Sequence, residues 1–165
     1  MLGNVSYAKS GSSQIYLFIA PGFEEAFVTT CLVTMRRAGL RIALVGTIPG
    51  EIVGANGVCL RPDYALDALK QPASSGLMII PGGMRCVQAL SIDPRFHQVM
   101  QSLMAAQGTL ILSHEAQLTF RQEQAWPFFL NSKRVLTQEE LSQEDFFLLL
   151  IRLVKVGEFL SKRLE

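Results

Sequence analysis

Residues 14–22 read Gln14-Ile15-Tyr16-Leu17-Phe18-Ile19-Ala20-Pro21-Gly22, and this stretch decides the fold class. A short apolar run of β-favouring residues, Ile15 to Ile19, stops abruptly at Pro-Gly, as a strand buried within a sheet does. At Glu24 the pattern changes. Phe27, Cys31, Leu32 and Met35 recur at helical spacing, acids open the segment, Arg36 and Arg37 stand near its end, and Gly39 stops it. The run Arg41 to Val45, closed by Gly46, is a second strand. Strand, helix and strand at this spacing imply a right-handed parallel crossover, the start of a sheet covered by helices.

The same alternation continues outward. Between Glu51 and Pro62 two short pieces flank Ala55-Asn56-Gly57, whose Asn-Gly favours positive φ and predicts a small hairpin. Asp63 to Leu69 reads as a short helix, Gln71 to Gly76 as a polar connector, and Leu77 to Ile80 as a strand broken by Pro81-Gly82-Gly83. Helices are expected from Met84 to Leu90 and from Asp93 to Ala106, the second with Phe96, Val99, Met100 and Leu103 on one face and Gly108 as its cap. Thr109 to Leu112 is the next strand, and Ser113-His114-Glu115 stands where it turns into a helix running to Arg121. After a loop containing Pro127, Arg134 to Leu136 reads as a last strand. Ser142 and Asp145 then resemble a capping box opening the apolar helix Phe146 to Leu160.

Composition sets the class limits. A chain of 165 residues, 49% hydrophobic and 18% charged, suits one α/β domain over residues 14–165, preceded by a flexible segment over 1–13. Fifteen Lys and Arg against fourteen Asp and Glu leave +1, with no basic run to track a phosphate backbone, so nucleic acid is not an expected partner. The longest strongly apolar run, Phe146 to Ile151, falls far short of the roughly 20 residues of a membrane span. Met1 to Ser13 lacks the charged start and apolar stretch of a secretory signal, so a cytoplasmic location is expected. Cys31, Cys59 and Cys86 are odd in number and widely spaced, which excludes a disulfide framework and a CxxC metal site. Cys31 and Cys59 read as core, and His97 as solvent-facing. Neither a metal nor a cofactor is expected.

In open parallel sheets, ligands bind beyond the carboxyl ends of the strands, where helix N-termini aim free N–H groups at one place. Three loops qualify here: Pro21 to Glu25, Pro81 to Arg85, and Ser113 to Ala116. A serine at a tight strand-to-helix turn projects its hydroxyl above the sheet beside N–H groups suited to an oxyanion. Gly82 and Gly83 let backbone approach a ligand closely.

Ala20-Pro21-Gly22-Phe23-Glu24-Glu25, Met35-Arg36-Arg37-Ala38-Gly39-Leu40 and Ile79-Ile80-Pro81-Gly82-Gly83, in that order and spacing, resemble the ThiJ/PfpI superfamily over most of Gln14 to Leu118. That resemblance implies a flavodoxin-like three-layer sandwich with a mostly parallel central sheet, the class I glutamine amidotransferase-like fold. It also implies a homodimer. The family's elbow carries a cysteine, followed in the PfpI branch by His-Gly-Pro-Gln-Leu, whereas this chain reads Ser113-His114-Glu115-Ala116-Gln117-Leu118. By resemblance Ser113 takes the nucleophile position, His114 that of the PfpI-type histidine, and Gly83 that of an oxyanion donor.

The departures bear on activity. The family's acid that hydrogen-bonds the reactive cysteine falls on Phe27, leaving Glu24 or Glu25 as substitutes. The elbow's Gly-Pro becomes Glu115-Ala116, the region between Arg121 and Arg134 is shortened, and the glycine-rich turn before the final helix reads Glu139-Glu140-Leu141-Ser142. Two functions follow. One is a small-molecule-binding or regulatory module without the family's cysteine chemistry. The other is a hydrolase or amidase on small carbonyl or amide substrates, with Ser113 attacking, His114 as base, and the Gly83 and His114 N–H groups as oxyanion donors. Plainer roles stand beside these: Ser113 as helix N-cap, Glu24 and Glu25 as acids at a dipole's positive end, and Cys86 as either buried filler or a redox thiol.

Overall fold

The computed structural model describes residues 14–69, 76–122 and 132–163. Residues 1–13, expected from the sequence to be a flexible segment, most of the expected connector 71–76, and most of the stretch between Arg121 and Arg134 with its expected Pro127 loop lie outside the described residues.

Six parallel strands form the central sheet. They are β1 (Ile15–Ile19), β2 (Ile42–Gly46), β5 (Tyr64–Ala65), β6 (Leu77–Ile80), β7 (Thr109–Leu112) and β8 (Val135–Thr137), in the order β5-β2-β1-β6-β7-β8. A separate antiparallel hairpin, β3 (Ile52–Val53) and β4 (Cys59–Leu60), turns through Gly57 at φ 90°, as Asn56-Gly57 predicts. The flanking helices are α1 (Glu25–Arg37), α2 (Met84–Ile92), α3 (Pro94–Ala105), α4 (His114–Gln122) and α5 (Gln143–Arg163). α1 packs against α5, and α2 against α3 and α4. The result is the mostly parallel, flavodoxin-like α/β architecture that the ThiJ/PfpI resemblance implies.

Burial explains why the strands read so clearly. β2 is buried throughout, and β1 at all positions except Tyr16, because strands covered on both faces have no polar side to show. The helices present one stripe each: Phe27, Val28, Cys31 and Met35 on α1, and Phe96, Met100 and Leu103 on α3. Phe96 meets Phe18 edge-on at a ring-centroid separation of 5.2 Å, and Phe27 meets Phe147 of α5 at 5.0 Å. All these residues join one continuous core cluster.

Several local expectations are corrected. Asp63 to Leu69 is not a helix but a two-residue strand followed by a single 3-10 turn. Asp63 clips the segment onto the edge of β2, exchanging backbone hydrogen-bonding with Leu44 on both sides of its residue: its N–H donates to Leu44 O, and its carboxylate accepts from Leu44 N–H at 2.8 Å. Gly108 does not take the left-handed position that ends α3; Gln107 does, at φ 61°, while Gly108 N–H reaches back to Leu103 O at 2.8 Å. Glycine is required at 108 for closeness, since a Cβ there would meet the Leu103 side chain and lie 2.8 Å from Gly76 O. Cys59 is exposed, because the hairpin stands apart from the main sheet and turns that residue outward. His97 is half-buried and bonds the Ser91 carbonyl through Nε2. The apolar reading of α5 applies to both of its faces: Phe146, Phe147, Leu150 and Val154 are buried, and Leu149, Leu153 and Val156 form an exposed apolar stripe.

Candidate functional site

Because β1, β6, β7 and β8 run parallel, their carboxyl ends open on one edge, and the loops after them meet there. Gly22, Gly83, Glu24 and Glu115, with Gly54 and Asn56 of the hairpin and Arg85 of α2, line an open cleft of about 840 Å³. Ser113 and His114 are not among the described residues that line it.

The turn after β6 is a glycine turn at the start of α2. Gly83 is the N-cap of α2 at φ 98°, and a Cβ there would collide with Gly22 O and lie 3.0 Å from Glu24 N, so glycine is needed for both conformation and space. Its N–H is already occupied: Glu115, in the first turn of α4, places Oε2 2.8 Å from Gly83 N. The other expected oxyanion donor is engaged as well, since His114 N–H donates to Gln138 Oε1 at 3.2 Å. Gln138 in turn donates from Nε2 to Leu141 O at 2.9 Å, locking the turn before α5 against the start of α4.

Ser113 is 2% exposed. Its Oγ accepts from Ala116 N–H at 3.1 Å, the N-cap bond of α4, and that is its one hydrogen bond to another residue among the described residues. An elbow nucleophile sits on a strained turn. Among the described residues, the non-glycine residues at positive φ are Gln107 and Glu139, and Ser113 is not one of them. The His114 side chain is exposed. Phe27, at the position of the family's acid, is fully buried against Phe147 and brings no charge to the elbow.

The adjacent acids Glu24 and Glu25 face different surroundings. Glu24, half-buried, has its N–H on Gly82 O at 3.0 Å and accepts from Gln143 Nε2 at 3.4 Å. Burial, then the neighbouring Glu115 carboxylate, push its pKa up, against the hydrogen bond from Gln143. Glu25 is turned to the hairpin, where Oε1 accepts from Asn56 N–H and Oε2 from Asn56 Nδ2 at 2.8 Å. Burial works against the ionised form of Glu25, but these Asn56 hydrogen bonds outweigh it and hold the carboxyl below its ordinary range. Glu25 is therefore a clamp between α1 and the hairpin.

Cys86 is fully buried, with Sγ accepting from Ala20 N–H at 3.3 Å, and burial pushes its thiol up to about 12. It holds neither a thiolate at neutral pH nor a path to solvent. Among the described residues no three His, Cys, Asp or Glu side chains converge as metal ligands do. Nor is any described helix long and apolar enough to cross a membrane. Sequence reasoning gave no site role to the Asn56, Arg85, Gln138 and Gln143 side chains, whose amide and guanidinium groups belong to no catalytic motif.

With this geometry in place, comparison with known proteins is decisive for family. The sequence model of the DJ-1/PfpI family matches residues 13–114, more than half of the chain. The chain belongs to the DJ-1/PfpI family. Solved DJ-1 structures share its fold at low identity. Oxidized Toxoplasma gondii DJ-1 superposes with a TM-score of 0.71 at 15% identity, covering 87% of this chain and 91% of that one. Drosophila melanogaster DJ-1beta gives 0.61 at 16%, over 76% and 73% of the two chains. Schizosaccharomyces pombe DJ-1 gives 0.61 at 15%, over 87% and 97%. The chain is thus a divergent DJ-1/PfpI protein whose elbow position reads serine.

Proposed function

We propose that this DJ-1/PfpI protein is a small-molecule-binding or regulatory module that works through the cleft beside Gly83, without nucleophilic chemistry at the elbow. The observation that carries the reading is the Glu115 carboxylate on the Gly83 N–H. An oxyanion hole has to stand open toward the reacting carbonyl. Here the chain's own side chains, Glu115 and Gln138, take both expected donors. A serine hydroxyl also needs a general base within hydrogen-bond reach, and Ser113 spends its oxygen on the N-cap of α4 instead.

A fluorophosphonate probe followed by intact-mass measurement tests this. The expected outcome is no adduct, together with no turnover of amides or methylglyoxal adducts. An adduct on Ser113 that disappears in Ser113→Ala would establish the alternative hydrolase or amidase. The homodimer reading is carried forward on the exposed Leu149, Leu153 and Val156 of α5, and a monomeric mass by light scattering would remove it.

A further inference from the structure

We propose that Glu24 and Glu115 form a proton-dependent latch over Gly82 and Gly83. With a proton held on Glu24, the Glu115 carboxylate stays on the Gly83 N–H; when that proton leaves to solvent, Glu115 swings out and the amide opens to the cleft. This is a regulation of the site as read above, and it rests on that reading.

The geometry brings the two acids to one point from different elements. Glu24 enters at the start of α1 and Glu115 in the first turn of α4, yet a Cβ added to Gly82 would collide with Oε2 of both. Two carboxylate oxygens sharing the space above one α-carbon cannot both be ionised without strong mutual repulsion. Which of them moves is set by anchoring. Glu24 is half-buried, tied through its N–H to Gly82 O and through its carboxylate to Gln143. Glu115 is exposed, and among the described residues its carboxylate is held by the bond to Gly83 N–H. Burial, with the Glu115 carboxylate beside it, also raises the pKa of Glu24.

The other charged or titratable groups facing the pair come from each neighbouring element. Glu25 follows Glu24 on α1 and, being ionised and clamped to Asn56, adds to the repulsion. On α2, Arg85 lines the same cleft and takes part in none of the ion pairs among the described residues, so it is the cation toward which a released Glu115 can turn. Cys86 on α2 is buried and protonated, His114 precedes Glu115 with its ring exposed, α5 presents the neutral Gln143, and the hairpin presents the neutral Asn56.

The test is a pH titration of the whole isotope-labelled chain by NMR, following the Gly83 amide and the side-chain carboxyl carbons of Glu24 and Glu115. The latch predicts an upfield move of the Gly83 amide proton with the same midpoint as the Glu24 carboxyl. It also predicts at least an about tenfold loss of that amide's exchange protection, after correction for intrinsic exchange. In Glu24→Gln the Gly83 amide should stay closed and flat above the ordinary carboxylate range. In Glu115→Gln, Glu24 should titrate at lower pH while the amide no longer follows it. A wild-type amide that ignores the titration of Glu24, or one that keeps its midpoint in Glu24→Gln, overturns the latch. Either result leaves the fluorophosphonate outcome untouched, whereas labelling of Ser113 would sink the site reading itself.

Discussion

The strand-to-helix junctions after β6 and β7 lie side by side at the same sheet edge and share a topology, but their contents have diverged. After β6, Gly83 lines the cleft with a positive-φ backbone, and its N–H donates to the Glu115 carboxylate. After β7, Ser113 is buried, takes no positive φ, and uses its hydroxyl to cap α4. A parallel sheet delivers N–H groups to this edge whatever the side chains are; chemistry depends on a few residues that the fold does not require. The contrast between the two junctions teaches that one topology can leave a glycine turn lining a cleft and bury the neighbouring hydroxyl at a helix start.

The largest effect is expected at Phe27, in the core beside α5. Phe27→Ala should lose about 3–5 kcal/mol of unfolding free energy, because it removes a fully buried ring packed on Phe147. Denaturant unfolding measures this, and a loss below about 1 kcal/mol would mean the ring is not core. Phe27→Glu should be no better tolerated, since a carboxylate there has no polar partner to receive it. Next comes the glycine turn after β6. Gly83→Ala should destabilise by at least the roughly 1–3 kcal/mol of a left-handed non-glycine residue, with the collision against Gly22 O added.

A smaller effect separates capping from catalysis. Ser113→Ala should cost about 1 kcal/mol, the ordinary worth of an N-cap, and Ser113→Asn should recover part of it. A nucleophile would instead show no stability change and a lost activity.

The smallest effects are opposite in sign at two adjacent residues. Glu24 has a raised pKa when folded, so its contribution is full below the unfolded carboxylate pKa and lost as pH rises through the folded value. Glu25 has a lowered pKa when folded, so its contribution is present above the unfolded pKa and lost as pH falls through the folded value. Urea midpoints measured across pH should therefore decline less on the alkaline side of the carboxylate range in Glu24→Gln, and less on the acid side in Glu25→Gln. The same direction of change in both variants would contradict the split.

Much of the fold was legible because three of the four interior strands end in punctuation: Pro21-Gly22 after β1, Gly46 at the end of β2, and Pro81-Gly82-Gly83 after β6. What escaped were features set by tertiary contact. The short β5 exists because Asp63 grips Leu44 across the sheet edge, and no periodicity in Asp63 to Leu69 signals that. At the site, parallel topology predicted which loops would meet, and they do. It could not show that Glu115 would fold back onto Gly83 rather than face solvent, since that depends on a rotamer. A long acid where the family has glycine was the available sign. Gln138, a buried amide serving both His114 and Leu141, left no sign at all.

The most direct test of the central claim is a high-resolution crystal structure of the wild-type chain, grown at a pH low enough to keep Glu24 protonated and read at these two junctions. The account predicts the Glu115 carboxylate on Gly83 N–H and the Ser113 hydroxyl on Ala116 N–H over an unstrained turn. A Ser113 hydroxyl standing in the cleft on a strained turn, with Glu115 turned away and the Gly83 N–H open beside it, would contradict it.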